Sequence, residues 1–212
     1  WERPFWFEAN ASLPLPDGGT LRDGWNAYRW SPIAAAEHLA TRTGVALYDF
    51  STFTKIDVCG DDALQFLESL SCTDLNCPVG RITYALLLNR HGGIESDVTI
   101  LRLDRERFRV FAGAASGPRD LAYLRRQARD WDAVTIEDVT SAFVALGLWG
   151  PQAQALLDPI TEGELSPERV PSFASREVFI GGIPVRVIRM SYAGEDGFEL
   201  HVATEYGAAL WD

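Results

Sequence analysis

Residues 80–103 read GRITYALLLNRHGGIESDVTILRL: an apolar run, a polar turn with two glycines, and a second apolar run. The period is two rather than 3.6, and the turn is short, so the stretch reads as an antiparallel hairpin. A third run, FRVFAG (108–113), follows the polar turn DRER (104–107) and extends the hairpin into a meander. The second strand carries two acids. Alternation puts Asp97 on one face with Glu95, Thr99 and Leu101. An acid there also reads as a solvated strand residue, because antiparallel sheets commonly keep one wet face. Register separates the two readings. With a four-residue loop, 89–92, Leu88 faces Gly93 and Tyr84 faces Asp97. With a five-residue loop Ala85 faces Asp97 and Tyr84 points to the other side. Only the first gives a Tyr/Asp site.

Outward from the meander, strand and helix patterns alternate without a regular βαβ rhythm. SPIAAAEHLATRTG (31–44) has Ser31 as N-cap, Pro32 at the first helical position and Gly44 as the stop, which predicts a helix over 32–43. VALYDF (45–50) and FTKIDVCG (53–60) are strand patterns, and DDALQFLESL (61–70) sets Ala63, Phe66, Leu67 and Leu70 on one helical stripe. GPRDLAYLRRQARDW (117–131) is a second amphipathic helix, with Leu121, Leu124, Ala128 and Trp131 at helical spacing. Strands AVTIEDV (133–139) and AFVALGLWG (142–150), a short helix PQAQALL (151–157), and a hairpin EVFIGGIPVRVIRM (177–190) through Gly181-Gly182 follow. SYAGEDGFELHV (191–202) reads as strand, turn and strand. The predicted class is α+β, with mixed, mainly antiparallel sheets flanked by helices. Residues 1–30, with Trp1, Trp6, Trp25 and Trp30, follow neither period and read as an extended aromatic arm, leaving 31–212 as the domain. The closing YGAALWD starts a helix with no stop signal, so the chain reads as a piece of a longer one, truncated at the C-terminus.

At 212 residues and 47% hydrophobic, the chain is long enough for a substantial core. A formal net charge of −11 argues against bulk attraction to nucleic acid or anionic membrane. No 18-residue apolar run or signal-peptide pattern occurs, so the expected location is soluble and intracellular: the cytoplasm of a bacterium or a eukaryotic mitochondrial matrix. Cys59, Cys72 and Cys77 are too few for a disulfide framework, and three scattered histidines do not complete a zinc site. Phosphate-loop, dinucleotide, zincin and nucleophile-elbow motifs are missing. What remains is carboxylates and aromatics. Glu199 and His201 share one strand face, with Phe198 and Leu200 on the other, and Glu199 alone reads equally as an exposed strand acid. Glu195 and Asp196 fit turn formation, and Tyr192 and Phe173 fit core or edge aromatics.

Four segments together, 37–70, 80–103, 146–157 and 191–202, resemble the aminomethyltransferase family, the tetrahydrofolate-binding T-protein of glycine cleavage and its relatives. Within it, WERPFWF (1–7) and GGIESD (92–97) are most similar to the folate domain of dimethylglycine and sarcosine dehydrogenases, Ser96 standing where the T-protein commonly has an acid. The resemblance implies folate contacts at Tyr84, Phe173, Tyr192 and Glu199, and a catalytic carboxylate at Asp97. Phe173 replaces a tyrosine found in some members. The implied activity is one-carbon transfer to tetrahydrofolate, giving 5,10-methylenetetrahydrofolate. The implied donor is a small methylated amine or its imine, with an FAD domain upstream in the parent chain and a further β-barrel downstream. A bidentate pair between Glu199 and the donor edge of a reduced pterin, with aromatic walls for its rings, suits these residue types. A stand-alone aminomethyltransferase, a folate-dependent demethylase and a non-catalytic folate-binding module are the competing readings.

Overall fold

The computed structural model describes residues 7–14, 31–192 and 194–212. Its elements run α1 (Pro32–Thr43), β1 (Ala46–Asp49), β2 (Thr54–Cys59), α2 (Ala63–Leu70), β3 (Ile82–Leu88), β4 (Ile94–Arg102), β5 (Arg107–Ala112), α3 (Gly117–Gln127), β6 (Thr135–Asp138) and β7 (Phe143–Trp149). They continue with α4 (Ala153–Leu157), β8 (Thr161–Glu162), β9 (Ala174–Ile180), β10 (Ile183–Arg189), β11 (Gly197–Ala203) and α5 (Gly207–Trp211). Two sheets result, in the orders β3-β4-β5-β2-β6 and β1-β7-β11-β10-β9-β8. Every pairing of named strands is antiparallel. The fold is α+β, as the alternation of patterns requires.

The architecture has four layers. One face of the first sheet buries Ile56, Val58, Ala85, Leu87, Val98, Ile100 and Val110 against α2 and α3, through Phe66, Leu67, Leu70 and Leu124. The outer face of the second sheet buries Leu146, Leu148, Val185, Val187, Phe198 and Leu200 against Ala153 and Leu157 of α4 and Leu165 and Val170. The two inner faces meet at Ile82, Leu101 and Phe111 of the first sheet and Ile188 of β10, with Met190 just beyond it. The apolar parts of this seam hold the sheets together by removing surface from water.

The helix signals act as expected. Ser31 accepts from the backbone N–H of Ala34 at 3.3 Å and Gly44 closes α1. Gly181 (φ 55°) and Gly182 (φ 79°) make the β9–β10 turn, where both residues sit in the left-handed region. Of the aromatic arm, only residues 7–14 are described. They form a short 3-10 helix over Glu8–Ser12 rather than an extended strand, fastened to α1 where Phe7 N (3.2 Å) and Asn10 Nδ2 (2.8 Å) donate to Glu37 Oε1. Trp1, Trp6, Trp25 and Trp30 lie outside the described residues.

The seam also holds charge. Asp57 is buried and takes bidentate hydrogen bonds from Arg109 (2.7 and 3.0 Å) and two more from Arg107. Burial pushes its carboxyl upward, but the two guanidiniums outweigh that and hold it below the usual range. Lys55, two residues earlier on the same face, is fully buried, and its Nζ donates to the carbonyls of Ser51 and Phe53, both at 3.0 Å. Burial, then the charge of Arg109, pushes it down to about 8 from an ordinary 10.5, against the pull of Asp49, Glu199 and Asp138. Below pH 8 both the folded and the unfolded chain hold this proton, and the full cost of burying the charge, about 3 kcal/mol, bears on the fold. Between pH 8 and 10.5 only the unfolded chain holds it, so stability from this group rises with pH. The stability difference between wild type and Lys55→Met, measured by urea denaturation, is therefore expected to move in favour of wild type from pH 8 to 10. A flat difference would refute the buried ammonium.

Candidate functional site

The hairpin takes the five-residue loop, 89–93, but not the register that this loop alone would set. Asn89 N donates to Gly93 O at 2.8 Å and Gly92 N to Asn89 O at 2.9 Å, while Asn89 Oδ1 accepts from His91 N and Gly93 N. Gly92 takes φ 78°, the conformation that lets so short a turn close. Leu88 therefore opposes Ile94, not Gly93. The register then shifts by one between Leu88 and Leu87, which opposes Ser96, so Glu95 has no partner across the ladder. This is a β-bulge. Beyond it Leu86 opposes Asp97 and Tyr84 opposes Thr99. The bulge restores the parity that the loop alone would have lost. Tyr84 and Asp97 share a face, as diagonal neighbours and not as a direct pair.

The same bulge separates the two acids. Glu95, expected on the face of Asp97 and solvated, is instead half-buried on the α3 side, where it borders a cleft with Tyr123 and Arg126 and accepts from Asn89 Nδ2 at 3.1 Å. Ser96 points to that side too and donates to the buried Asp120 at 2.9 Å, while Arg119 Nη2 holds the Glu95 carbonyl. An acid at 96 would face Asp120 across a buried gap. Asp97 is left exposed beside an exposed Tyr84, and among the described residues its carboxylate has no hydrogen-bond or ion-pair partner.

The second group forms on the inner face of the second sheet. Cross-strand pairing sets Tyr48, Gly147, Glu199 and Ile188 in one row across β1, β7, β11 and β10. Glu199 is buried, its Oε2 3.0 Å from His201 Nε2 and its Oε1 3.4 Å from the Tyr192 hydroxyl. A carboxylate only accepts, so Nε2 carries the imidazole proton. Burial lowers the His201 pKa, with the Glu199 hydrogen bond opposing, and His201 Nδ1 is left buried without a hydrogen-bond partner among the described residues. Tyr192 is largely exposed along its ring, but its hydroxyl turns inward. Desolvation there, and then the charge of Glu199, raises its pKa. The pair Glu199 and Tyr192 is brought together by the structure; His201 joins them because residues two apart on a strand share a face.

Among the described residues, Phe173 is the one residue other than glycine with a positive φ, +60°. Such backbone costs of order 1–3 kcal/mol and persists only where neighbours enforce it. Here both sheets enforce it: Phe173 N donates to Arg189 O at 2.8 Å, and Ile82 N donates to Phe173 O at 2.9 Å. Phe173 thus stitches the end of β10 to the start of β3, two residues from Tyr84. Ile82, Leu101 and Phe111 of the seam cluster share the inner face of the first sheet with Tyr84 and Asp97, and the Phe111 ring stands 5.0 Å from that of His201, the partner of Glu199.

Next to Glu199 is a group of which the sequence pointed only to Tyr192. Tyr48, Phe50, Phe53, Trp149 and Tyr192, with Glu195, line a pocket of about 310 Å³. Ring centroids stand 4.9 Å apart for Phe50 and Trp149, 5.6 Å for Tyr48 and Trp149, and 6.3 Å for Trp149 and Tyr192. Gly147 makes the room: a Cβ there would stand 2.0 Å from the Trp149 ring and 2.6 Å from that of Phe50. Gly147→Ala is expected to destabilise the fold by about 1–3 kcal/mol through overpacking, read as a lower urea midpoint; an unchanged midpoint would mean the rings are not packed this way. Among the described residues, no group of three or more His, Cys, Asp and Glu is placed to hold a metal ion. No helix among them is long and apolar enough to cross a membrane.

The sequence is 34% identical to a 4-methylaminobutanoate oxidase (formaldehyde-forming) of Paenarthrobacter nicotinovorans, over all of this chain and 25% of that protein. It is 38% identical to an aminomethyltransferase of Thermus thermophilus, over 80% of this chain and 48% of that protein. The crystal structure of glycine cleavage system aminomethyltransferase T from Bartonella henselae superposes with a TM-score of 0.72 at 31% identity, over 82% of this chain and 46% of that one. The chain thus spans a quarter to a half of the length of these relatives. The sequence pattern of the GCVT N-terminal domain matches residues 1–212 from end to end, and the chain belongs to that family.

Proposed function

We propose that this domain binds tetrahydrofolate and transfers a one-carbon unit to it within a dimethylglycine or sarcosine dehydrogenase-like enzyme whose flavin domain lies in the same parent chain. The observation that carries the reading is a buried, hydrogen-bonded Glu199 beside Tyr192 together with an exposed Asp97, without a partner among the described residues, beside Tyr84. A buried carboxylate is costly unless something donates to it, and His201 and Tyr192 leave lone pairs on both oxygens for a further donor edge. That fits a reduced pterin, which presents N–H and amino donors side by side. Tyr84, Tyr192 and Phe173 supply the aromatic walls.

Bound tetrahydrofolate supplies the nucleophilic nitrogens that take up the carbon. Glu199 holds and orients the ring. His201, neutral and donating through Nε2, fixes the Glu199 carboxylate. Asp97, with no ion pair among the described residues, accepts the proton released as the first new C–N bond forms and stabilises the cationic, iminium-like donor. The two C–N bonds release two N–H protons in all, and both leave with the departing amine as its ammonium, the first passed on by Asp97. The likeness to a formaldehyde-forming methylamino acid oxidase supports an N-methyl amine as the source of carbon. A titration of the full natural chain with tetrahydrofolate, followed by Trp fluorescence, is expected to saturate; a linear, unsaturable response would overturn the folate site.

A further inference from the structure

The aromatic pocket does not suit the pterin. Its polar ring atoms are already committed: the Tyr48 hydroxyl to Thr41 Oγ1, Trp149 Nε1 to Met190 O at 3.2 Å, and the Tyr192 hydroxyl toward Glu199. Among the described residues, what lines the space is the rings, Thr41, whose Oγ1 is already taken by Tyr48, and the Glu195 carboxylate, whose Oε2 accepts from Ser191 Oγ at 2.9 Å. A pterin could put its donor edge on Glu195 but would find its acceptors unpaired there, since the hydroxyls and the indole N–H are already engaged, and an anion would meet both the carboxylate and the aromatic rings. A weakly hydrated cation gains from the same surfaces, because several ring quadrupoles and a nearby negative charge stabilise it after desolvation.

We infer that Tyr48, Phe50, Phe53, Trp149 and Tyr192, with Glu195, form a cage for a methylated ammonium group. Tyr192 is the shared wall, its ring against Trp149 and its hydroxyl turned to Glu199. The cage therefore seats a cationic N-methyl or N-methylene amine directly beside the carboxylate that holds folate. Its place in the reaction rests on the folate reading; the binding of a methylated cation does not. Gly147 opens the cage from below, and the Lys55 ammonium, bound to the carbonyls of Ser51 and Phe53, holds the loop that carries Phe50 and Phe53.

The test uses choline and its neutral twin, 3,3-dimethylbutan-1-ol, each titrated into the full natural chain by Trp fluorescence, with and without saturating tetrahydrofolate. Choline is expected to saturate and to bind about five-fold or more tightly than the neutral twin, with folate bound or not. Phe50→Leu and Glu195→Gln are each expected to weaken choline several-fold and to leave the neutral twin little changed. Equal binding of the two probes, no saturation by choline, or displacement of choline by folate would overturn the cage. Saturation by choline in a protein that tetrahydrofolate does not saturate would sink the folate reading and leave the cage standing.

Discussion

Asp97→Asn is expected to lower the rate of one-carbon transfer by roughly 10²- to 10³-fold, the range for loss of a positioned proton acceptor, while tetrahydrofolate affinity changes little. The structure makes the substitution clean. Asp97 is exposed and, among the described residues, has no ion pair or side-chain hydrogen bond to lose, so stability is expected to shift by no more than about 0.5 kcal/mol. The amide keeps the shape and removes the charge. Single-turnover transfer from an iminium-generating amine, with folate affinity measured on the same preparation, separates the step from binding. Wild-type transfer in the variant would remove Asp97 from the chemistry and leave its strand position as that of a solvated acid.

Glu199→Gln is expected to act the other way round. It puts an N–H donor where the pterin's own donors would point and leaves a buried group mismatched, which costs about 2–4 kcal/mol, or roughly 30- to 1000-fold in affinity. The amide oxygen still accepts from His201 Nε2, so the fold keeps that contact. Calorimetric titration with tetrahydrofolate reads the loss directly. If the variant binds as tightly as wild type, the buried carboxylate serves the fold and not the ligand. The two substitutions together distinguish a holding acid from a reacting one, since the first moves the rate and the second moves the binding.

Local signals account for much of the fold. Ser31, Pro32 and Gly44 bound α1 as their cap chemistry demands, and the Gly181-Gly182 pair makes the hairpin its backbone freedom permits. The pairing of Glu199 with His201 is legible as well, because residues two apart on a strand must share a face. The bulge at Glu95 is not. It depends on Asp120 capturing Ser96 and on Arg119 holding the Glu95 carbonyl, contacts from a helix whose docking no local period encodes. Counting loop residues alone therefore left two registers, and the bulge makes a third, in which the five-residue loop still puts Tyr84 and Asp97 on one face. The aromatic pocket was hidden for a related reason. Tyr48 and Gly147 meet only because β1 pairs with β7 from a distant part of the chain. Lys55 reads as a surface residue by its chemistry, and only the carbonyls of Ser51 and Phe53 explain its burial.

We propose that the Glu199 group and the Tyr84/Asp97 face serve one folate molecule. A crystal structure of the full natural chain with tetrahydrofolate tests this most directly. The account predicts the donor edge of the pterin on the Glu199 carboxylate, with Tyr84, Phe173 and Tyr192 against its rings and Asp97 facing the nitrogens that take up the carbon. Folate seated away from Glu199, or bound there with Asp97 turned to solvent, would contradict it.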